Sequence, residues 1–266
     1  MKRYVFAGLL ASLIVTTPIV YAQSASDQLA EYRRMLADGN PAELYEAEGE
    51  ELWSKPAGPK KASLEKCDLG LGAGVIKGAS AQLPRYFKDT NRVQDLESRL
   101  MTCMSTIQGI PEAEVVNGSF GKGIRKNLEA IVAYVVTQSK GMKVNVPASH
   151  PKEKEMLALG EKIFYLQGGP MDFSCASCHA VDNKRIRMQD LPNLTKAKGA
   201  ADGWGSWPAY RVSSGTFWTM QRRLNDCYRQ QRMPFPIYGS DATIALSVFM
   251  ANTANGGTIQ TPGLKR

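Results

Sequence analysis

The run Cys175-Ala176-Ser177-Cys178-His179 constrains this chain more than any other feature. Two thiols three positions apart, followed at once by an imidazole, have the spacing of covalent c-type haem attachment. Each thiol adds across a porphyrin vinyl group, and the histidine lies under the iron as its proximal ligand. Cys175 and Cys178 are therefore the candidate tethers and His179 the candidate axial ligand. The same residues suit a redox dithiol or half of a zinc site. Zinc asks for a second ligand pair, and the one other histidine, His150, stands far upstream beside Pro151.

The amino terminus points to a compartment. Lys2 and Arg3 precede a nearly unbroken apolar stretch from Tyr4 to Val20, and Val20 and Ala22 place small residues just before polar Gln23. This is the pattern of a secretory signal peptide over residues 1–22, so the mature chain is expected to be exported. About 17 apolar residues lie at the short limit for a membrane span, and Pro18 with the small-residue exit weighs against an anchor. No other segment of the sequence has the length and apolarity to cross a membrane. Removing Lys2 and Arg3 from the 33 basic residues leaves 31 against 25 acidic ones, a net +6 that haem propionates would partly offset. So modest an excess in an exported protein argues against nucleic acid as a partner. The local cluster Arg222, Arg223, Arg229 and Arg232 reads instead as an anion site or a face for an acidic partner.

Internal self-similarity sets the domain count. Gly49-Glu50-Glu51-Leu52-Trp53 begins 18 positions before Cys67, and Gly160-Glu161-Lys162-Ile163-Phe164 begins 18 before Cys178. Arg99-Leu100-Met101-Thr102-Cys103 is echoed by Arg223-Leu224-Asn225-Asp226-Cys227, and each is followed by Gln and Pro, at Gln108 and Pro111 and again at Gln231 and Pro234. Each half closes on an apolar run, Leu128 to Thr137 and Ala242 to Ala251. An ordered set of matches implies a structural repeat. The expected fold is mainly α, with two cytochrome c-like domains at residues 23–145 and 146–266, joined through the non-periodic stretch Gly141 to Pro151. Only the second is expected to hold haem. Aligning Cys67 with Cys178 puts Leu64 where Cys175 stands and Asp68 where His179 stands.

With Cys175 and Cys178 on haem, Cys67, Cys103 and Cys227 remain in an oxidising compartment, where free thiols seldom persist without reason. A Cys67–Cys103 disulfide would close a loop of about 37 residues and staple the haem-free domain, at roughly 3 to 4 kcal/mol in the chain-entropy model. Pairing either of them with Cys227 is the alternative, and it would break the repeat.

Cys227 is then the odd thiol. Thr216 to Gln231 contains no Gly or Pro and reads as a helix opening after Gly215, with Arg223 and Cys227 four apart on one face. A neighbouring guanidinium favours thiolate, the better nucleophile and iron ligand. Met233-Pro234 is the competing axial ligand, because a methionine in a loop after the haem raises the potential of an electron carrier. Met188 and Met220 are weaker candidates, since methionine more often fills core. Arg99 reads as a packed relic of the Arg–Cys face, His150 as a linker residue, and Trp204, Trp207, Tyr210, Phe217 and Trp218 as crevice wall or core.

Taken together, Leu83-Pro84-Arg85-Tyr86-Phe87, the Cys175–His179 motif, Trp207-Pro208-Ala209-Tyr210-Arg211 and above all Arg222 to Pro236 resemble the SoxA family, the cytochrome subunits of periplasmic SoxAX complexes. The resemblance covers most of the mature chain. It implies one covalently bound haem c, because Leu64 and Asp68 depart from the dihaem pattern and match the form in which a disulfide replaces the N-terminal haem. It implies an L-cysteine S-thiosulfotransferase that conjugates thiosulfate to a cysteine of a SoxYZ-type sulfur carrier and passes two electrons toward cytochrome c. Under it Cys227 is the catalytic residue and axial iron ligand opposite His179, able to carry a persulfide, Arg223 binds the substrate anion, and a SoxX-type monohaem cytochrome is the partner. The alternative is a simple electron-transfer cytochrome with His179 and Met233 on the iron.

Overall fold

A computed structural model describes residues 39–186 and 189–266, together with Glu31 and Arg34. The expected signal peptide and Met188 lie outside the described residues. Two close-packed helix pairs organise the chain. In the first, α1 (Ala42–Ser54) crosses the later α4 (Gly123–Thr137) so tightly that a Cβ on Gly49 would lie 2.0 Å from the Ala130 carbonyl oxygen. The second repeats this geometry: α5 (Pro151–Tyr165) crosses α9 (Asp241–Thr253), and a Cβ on Gly160 would lie 2.0 Å from the Ala245 carbonyl oxygen. Glycine is needed at both crossings because any side chain would hold the backbones apart. Helix α9 is buried along Thr243 to Ala251 and apolar nearly all round, as a central helix must be.

Corresponding elements recur in each half in one order, with further short elements inserted between them. A bridged loop follows the opening helix, at Ala57↔Ala62 and at Gly168↔Phe173. A two-stranded antiparallel hairpin comes next, β1 (Arg85–Phe87) with β2 (Arg92–Gln94) in the first half. In the second half it is β5 (Ala209–Arg211) with β6 (Thr216–Trp218), and the C-terminal β7 (Gly263–Lys265) adds to β5 in parallel. A capped middle helix follows each hairpin: α2 (Leu96–Cys103), whose N-cap Asp95 accepts from the Ser98 amide, and α8 (Met220–Gln230), whose N-cap Thr219 accepts from the Arg222 amide. Between them lie α3 (Glu112–Asn117), the short α6 (Cys175–His179), the two-residue strands β3 (Arg185–Ile186) and β4 (Gln189–Asp190), and α7 (Ala197–Gly205).

One sequence expectation fails here. The helix expected from Thr216 starts only at Met220, because Thr216-Phe217-Trp218 is a β-branched and aromatic run that pairs across Ala209–Arg211 before Thr219 caps the helix. No glycine or proline was needed to mark that break.

The halves exchange their hairpins. Val93 of β2 packs with Ile244 and Val248 of α9, while Phe217 of β6 is fully buried in the first half's core and stacks on Tyr45 at 5.7 Å. The connecting stretch is extended and tied down rather than free: the Val144 amide donates to the Gly257 carbonyl, the Ile259 amide donates to the Met142 carbonyl, and Asn255 bonds both backbone groups of Val146. His150 caps α5 by accepting from the Lys152 amide and stacks on Tyr86 at 3.7 Å, so its role is structural.

Candidate active site

The short helix α6 is fixed by Ser174, which exchanges side-chain and backbone hydrogen bonds with Ser177. That turn places Cys175 and His179 on the wall of a cavity of about 460 Å³ that Cys227 of α8 also lines. Phe164, Leu194, Trp204, Trp207 and Leu246 supply apolar walls. Cys175, Cys178 and Cys227 are unpaired, whereas Cys67 and Cys103 form a disulfide with Cα atoms 5.6 Å apart, as the repeat required.

The residues present suit a covalently held haem. The two free thiols stand three apart on one turn, and the His179 Nδ1–H donates to the Pro192 carbonyl at 3.0 Å, which leaves Nε2 as the lone pair available to iron. Burial pushes the His179 ring below its ordinary pKa, the Pro192 bond opposes that, and the Arg223 charge adds to it, so the neutral ligand form is favoured. Among the described residues no group of three or more His, Cys, Asp or Glu is arranged to hold a bare metal ion, while Cys175, His179 and Cys227 line the cavity. Burial and the neighbouring Cys227 push the Cys175 thiol up to about 12.

The structure separates the competing axial residues. Met233 packs onto the Gly168–Gly169 turn and does not line the cavity; Met220 lines it but sits in the core with Leu224 and Phe164. The Cys227 thiol is raised by burial, which outweighs the downward pull of Arg223, so in the chain alone the expected thiolate bias does not win. A bound metal ion reverses that balance, since coordination deprotonates a thiol outright.

The arginine cluster divides. Arg223 lines the cavity, lies over Trp207 at 5.7 Å and donates to Asp226 at 3.0 Å. Arg229 also donates to Asp226, at 2.7 Å, and Arg232 is exposed. Burial pushes Asp226 up, but hydrogen bonds from Arg229 and Gln230 and the Arg223 charge prevail and hold it below its usual range. Arg222 points the other way, into a buried pair with Glu129 of α4 at 3.2 Å. Asp226 was not singled out in the sequence, although its i+3 distance from Arg223 and i−3 distance from Arg229 was a readable signal. Arg211, also on the cavity wall, was missed as a site residue and had no such local signal.

The first half grips α8 directly. Glu97 of α2 accepts from the Gln221 amide at 2.8 Å in the first turn of α8 and from the Tyr238 hydroxyl, while Gln221 donates to Asp95 at 2.7 Å and accepts from the Gly239 amide at 2.7 Å. Arg99, four before Cys103, is buried over Phe87 at 4.0 Å and bonds the Asp68 carbonyl and Asp89, which bears out its reading as packing.

Comparison with known proteins gives a family model, two curated relatives and a solved structure. The family model described as SoxA/TsdA, cytochrome c domain, matches residues 48–144, the half that lacks Cys-x-x-Cys-His. The L-cysteine S-thiosulfotransferase subunit SoxA of Hydrogenophilus thermoluteolus is 58% identical over all of both chains. The protein of that name from Hydrogenobacter thermophilus is 39% identical over 85% of this chain and 82% of its own. The crystal structure of SoxXA from P. pantotrophus aligns over 89% of this chain and 84% of that one with a TM-score of 0.73 at 23% identity, a likeness of fold.

Proposed function

This chain belongs to the SoxA family of L-cysteine S-thiosulfotransferase subunits, and from that premise we propose that it catalyses the oxidative joining of thiosulfate to a carrier-protein cysteine at Cys227. The carrier thiolate and thiosulfate form one S–S bond, the product is an S-sulfonated persulfide, and two electrons leave. A cytochrome c domain carries covalent haem c, and one haem, held by Cys175 and Cys178, accounts for the thiols. When bound, it supplies an iron coordinated by His179 and Cys227 and a route for the electrons.

The chain's own residues do the rest. Pro192 holds the His179 ring by Nδ1, so that Nε2 keeps its lone pair facing the cavity. The Arg223 guanidinium, one turn before Cys227 and only partly engaged by Asp226, neutralises substrate charge beside the sulfur. Trp204 and Trp207 exclude water, which strengthens that contact.

In this reading residues 1–22 are a signal peptide that delivers the chain to the periplasm. Residues 23–145 form a cytochrome c-like domain whose haem has given way to the Cys67–Cys103 disulfide, and residues 146–266 form the haem domain. The matched helix crossings at Gly49 and Gly160, and a family-model match over the half without the motif, support a repeat. A SoxX-type cytochrome as electron exit and a SoxYZ-type carrier as acceptor follow from family membership.

The observation that carries the proposal is Cys227 lining the same cavity as His179, with Met233 seated elsewhere. Haem-loaded Cys227→Ser is expected to lose conjugation with haem content intact, and Met233→Ala to keep activity and the oxidised spectrum. A thioether absorption band that vanishes in Met233→Ala, or conjugation that survives in Cys227→Ser, overturns it.

A further inference from the structure

Thiosulfate is a dianion, yet the arginine run of α8 offers its cavity little uncompensated charge. Arg222 is committed to Glu129, Arg229 shares Asp226 with Arg223, and Arg232 is exposed. That leaves one half-neutralised cation, Arg223, facing Cys227.

Arg211 ends strand β5 and lines the same cavity. Its guanidinium lies over the Trp218 ring at 4.7 Å, which fixes its plane from one side. Its Nε is shut off from solvent with no acceptor, and among the described residues the guanidinium has no ion pair. A buried donor without a partner is costly and calls for an explanation. Burial first, and then the charge of Arg223, lowers the proton affinity of Arg211, while Asp226 and Cys227 raise it, so all four groups share one electrostatic neighbourhood. Two like-charged guanidiniums that line one half-dry cavity, one of them without an ion-pair partner among the described residues, form a receptor that an anion completes.

We propose that Arg211 is a second anion-binding side chain of the Cys227 cavity, forming with Arg223 a two-armed seat for a sulfur oxyanion dianion. The assignment rests on Cys227 being the reacting residue. Two sources could present the required anionic oxygens: the sulfonate end of the substrate, which the closeness to Arg223 and Cys227 favours, and a carboxylate of the haem itself.

Arg211→Gln and Arg211→Lys in the haem-loaded complex separate them. Losing one charge-assisted contact is expected to raise KM for thiosulfate about tenfold or more in Arg211→Gln. Sulfate, an unreactive dianion, should lose its competitive inhibition to a similar degree, and Arg211→Lys should recover part of both. The midpoint potential and haem stoichiometry should stay at the wild-type values. Wild-type KM and sulfate inhibition together with a shifted potential or lost haem would make Arg211 a haem-carboxylate anchor and overturn the proposal, as would wild-type values throughout. If Arg211→Gln fails to fold, as read by thermal melting, the Arg211→Lys constants decide. Failure of this assignment leaves the loss of activity in Cys227→Ser untouched, so the two readings fall separately.

Discussion

Substituting Gly160 by Ala tests the central geometry of the fold. The new Cβ would lie 2.0 Å from the Ala245 carbonyl oxygen, 2.6 Å from its carbon and 2.9 Å from the Phe249 Cβ, all fixed atoms of α9. A carbon–oxygen contact relaxes at about 3.3 Å, so the helices must part by about 1.3 Å. A gap of that size forfeits about half or more of the dispersion energy of each facing pair. Overpacking of this kind costs about 1–3 kcal/mol and here at least the upper figure, because the obstruction is backbone. Gly49→Ala meets the same 2.0 Å clash at Ala130 and is expected to lose about as much. Gly39→Ala, with nothing within 4 Å, is the control and should stay within about 0.5 kcal/mol of wild type. Urea unfolding followed by circular dichroism gives the three values. The oxidised haem spectrum separates the halves: Gly160→Ala should disturb iron ligation, because α5 and α9 wall the cavity through Phe164 and Leu246, and Gly49→Ala should not. A loss under about 1 kcal/mol in either tight variant refutes the close-approach reasoning, and equal spectral damage in both refutes the assignment of the haem cavity to the second half.

Burial raises Glu97, with the charge of Asp95 adding to it, from the usual 4.5 to about 7, and burial likewise raises Glu129 to about 7 despite its pairing with Arg222. Between those values the folded chain holds protons that the unfolded chain has released, so their contribution is present below pH 4.5 and is lost as the pH climbs to 7, at about 3 kcal/mol per group. Urea midpoints at pH 5 and pH 8 should show that fall, and Glu97→Gln, neutral throughout, should roughly halve it; an equally steep fall in Glu97→Gln rejects the assignment. Replacing Cys67 and Cys103 together by Ser should lower stability by roughly 3 to 4 kcal/mol in the chain-entropy model and leave the haem spectrum unchanged. Altered iron ligation in that double variant would mean that the disulfide reaches the haem cavity.

Much of the fold was legible because matched stretches of sequence land on matched helices. The Gly-x-x-x-aromatic pairs at Gly49 and Gly160, the two apolar closing runs and the matched Arg–Cys positions all fall on helices in corresponding places. What stayed hidden was local or long-range in a way that spacing does not record. The Thr216–Trp218 strand carries helix-compatible spacing, and only its pairing with Ala209–Arg211 makes it a strand. The hairpin exchange that buries Phe217 under Tyr45 and Val93 under Ile244 leaves no periodic trace, since each partner lies more than 100 residues away in the chain.

At the site, the residues that type and spacing singled out, Cys175, His179, Cys227 and Arg223, line one cavity, with Cys178 on the same short helix as the first two. Sequence could not sort four arginines of one kind within one run, because the acid across from each decides its role. Asp226 is local and holds Arg223 and Arg229, but Glu129 stands 93 residues before Arg222 and draws that side chain out of the cavity. The same long reach explains why a half without Cys-x-x-Cys-His still matters to the chemistry. Glu97 bonds the first turn of α8, Asp95 holds Gln221, and Glu129 fixes Arg222, so the helix that presents Arg223 and Cys227 takes its position from three acids of the first half. Severing those contacts would move the Cys227 thiol without touching the Cys-x-x-Cys-His motif, which makes the first half a positioning element for Cys227 as well as a partner in the core.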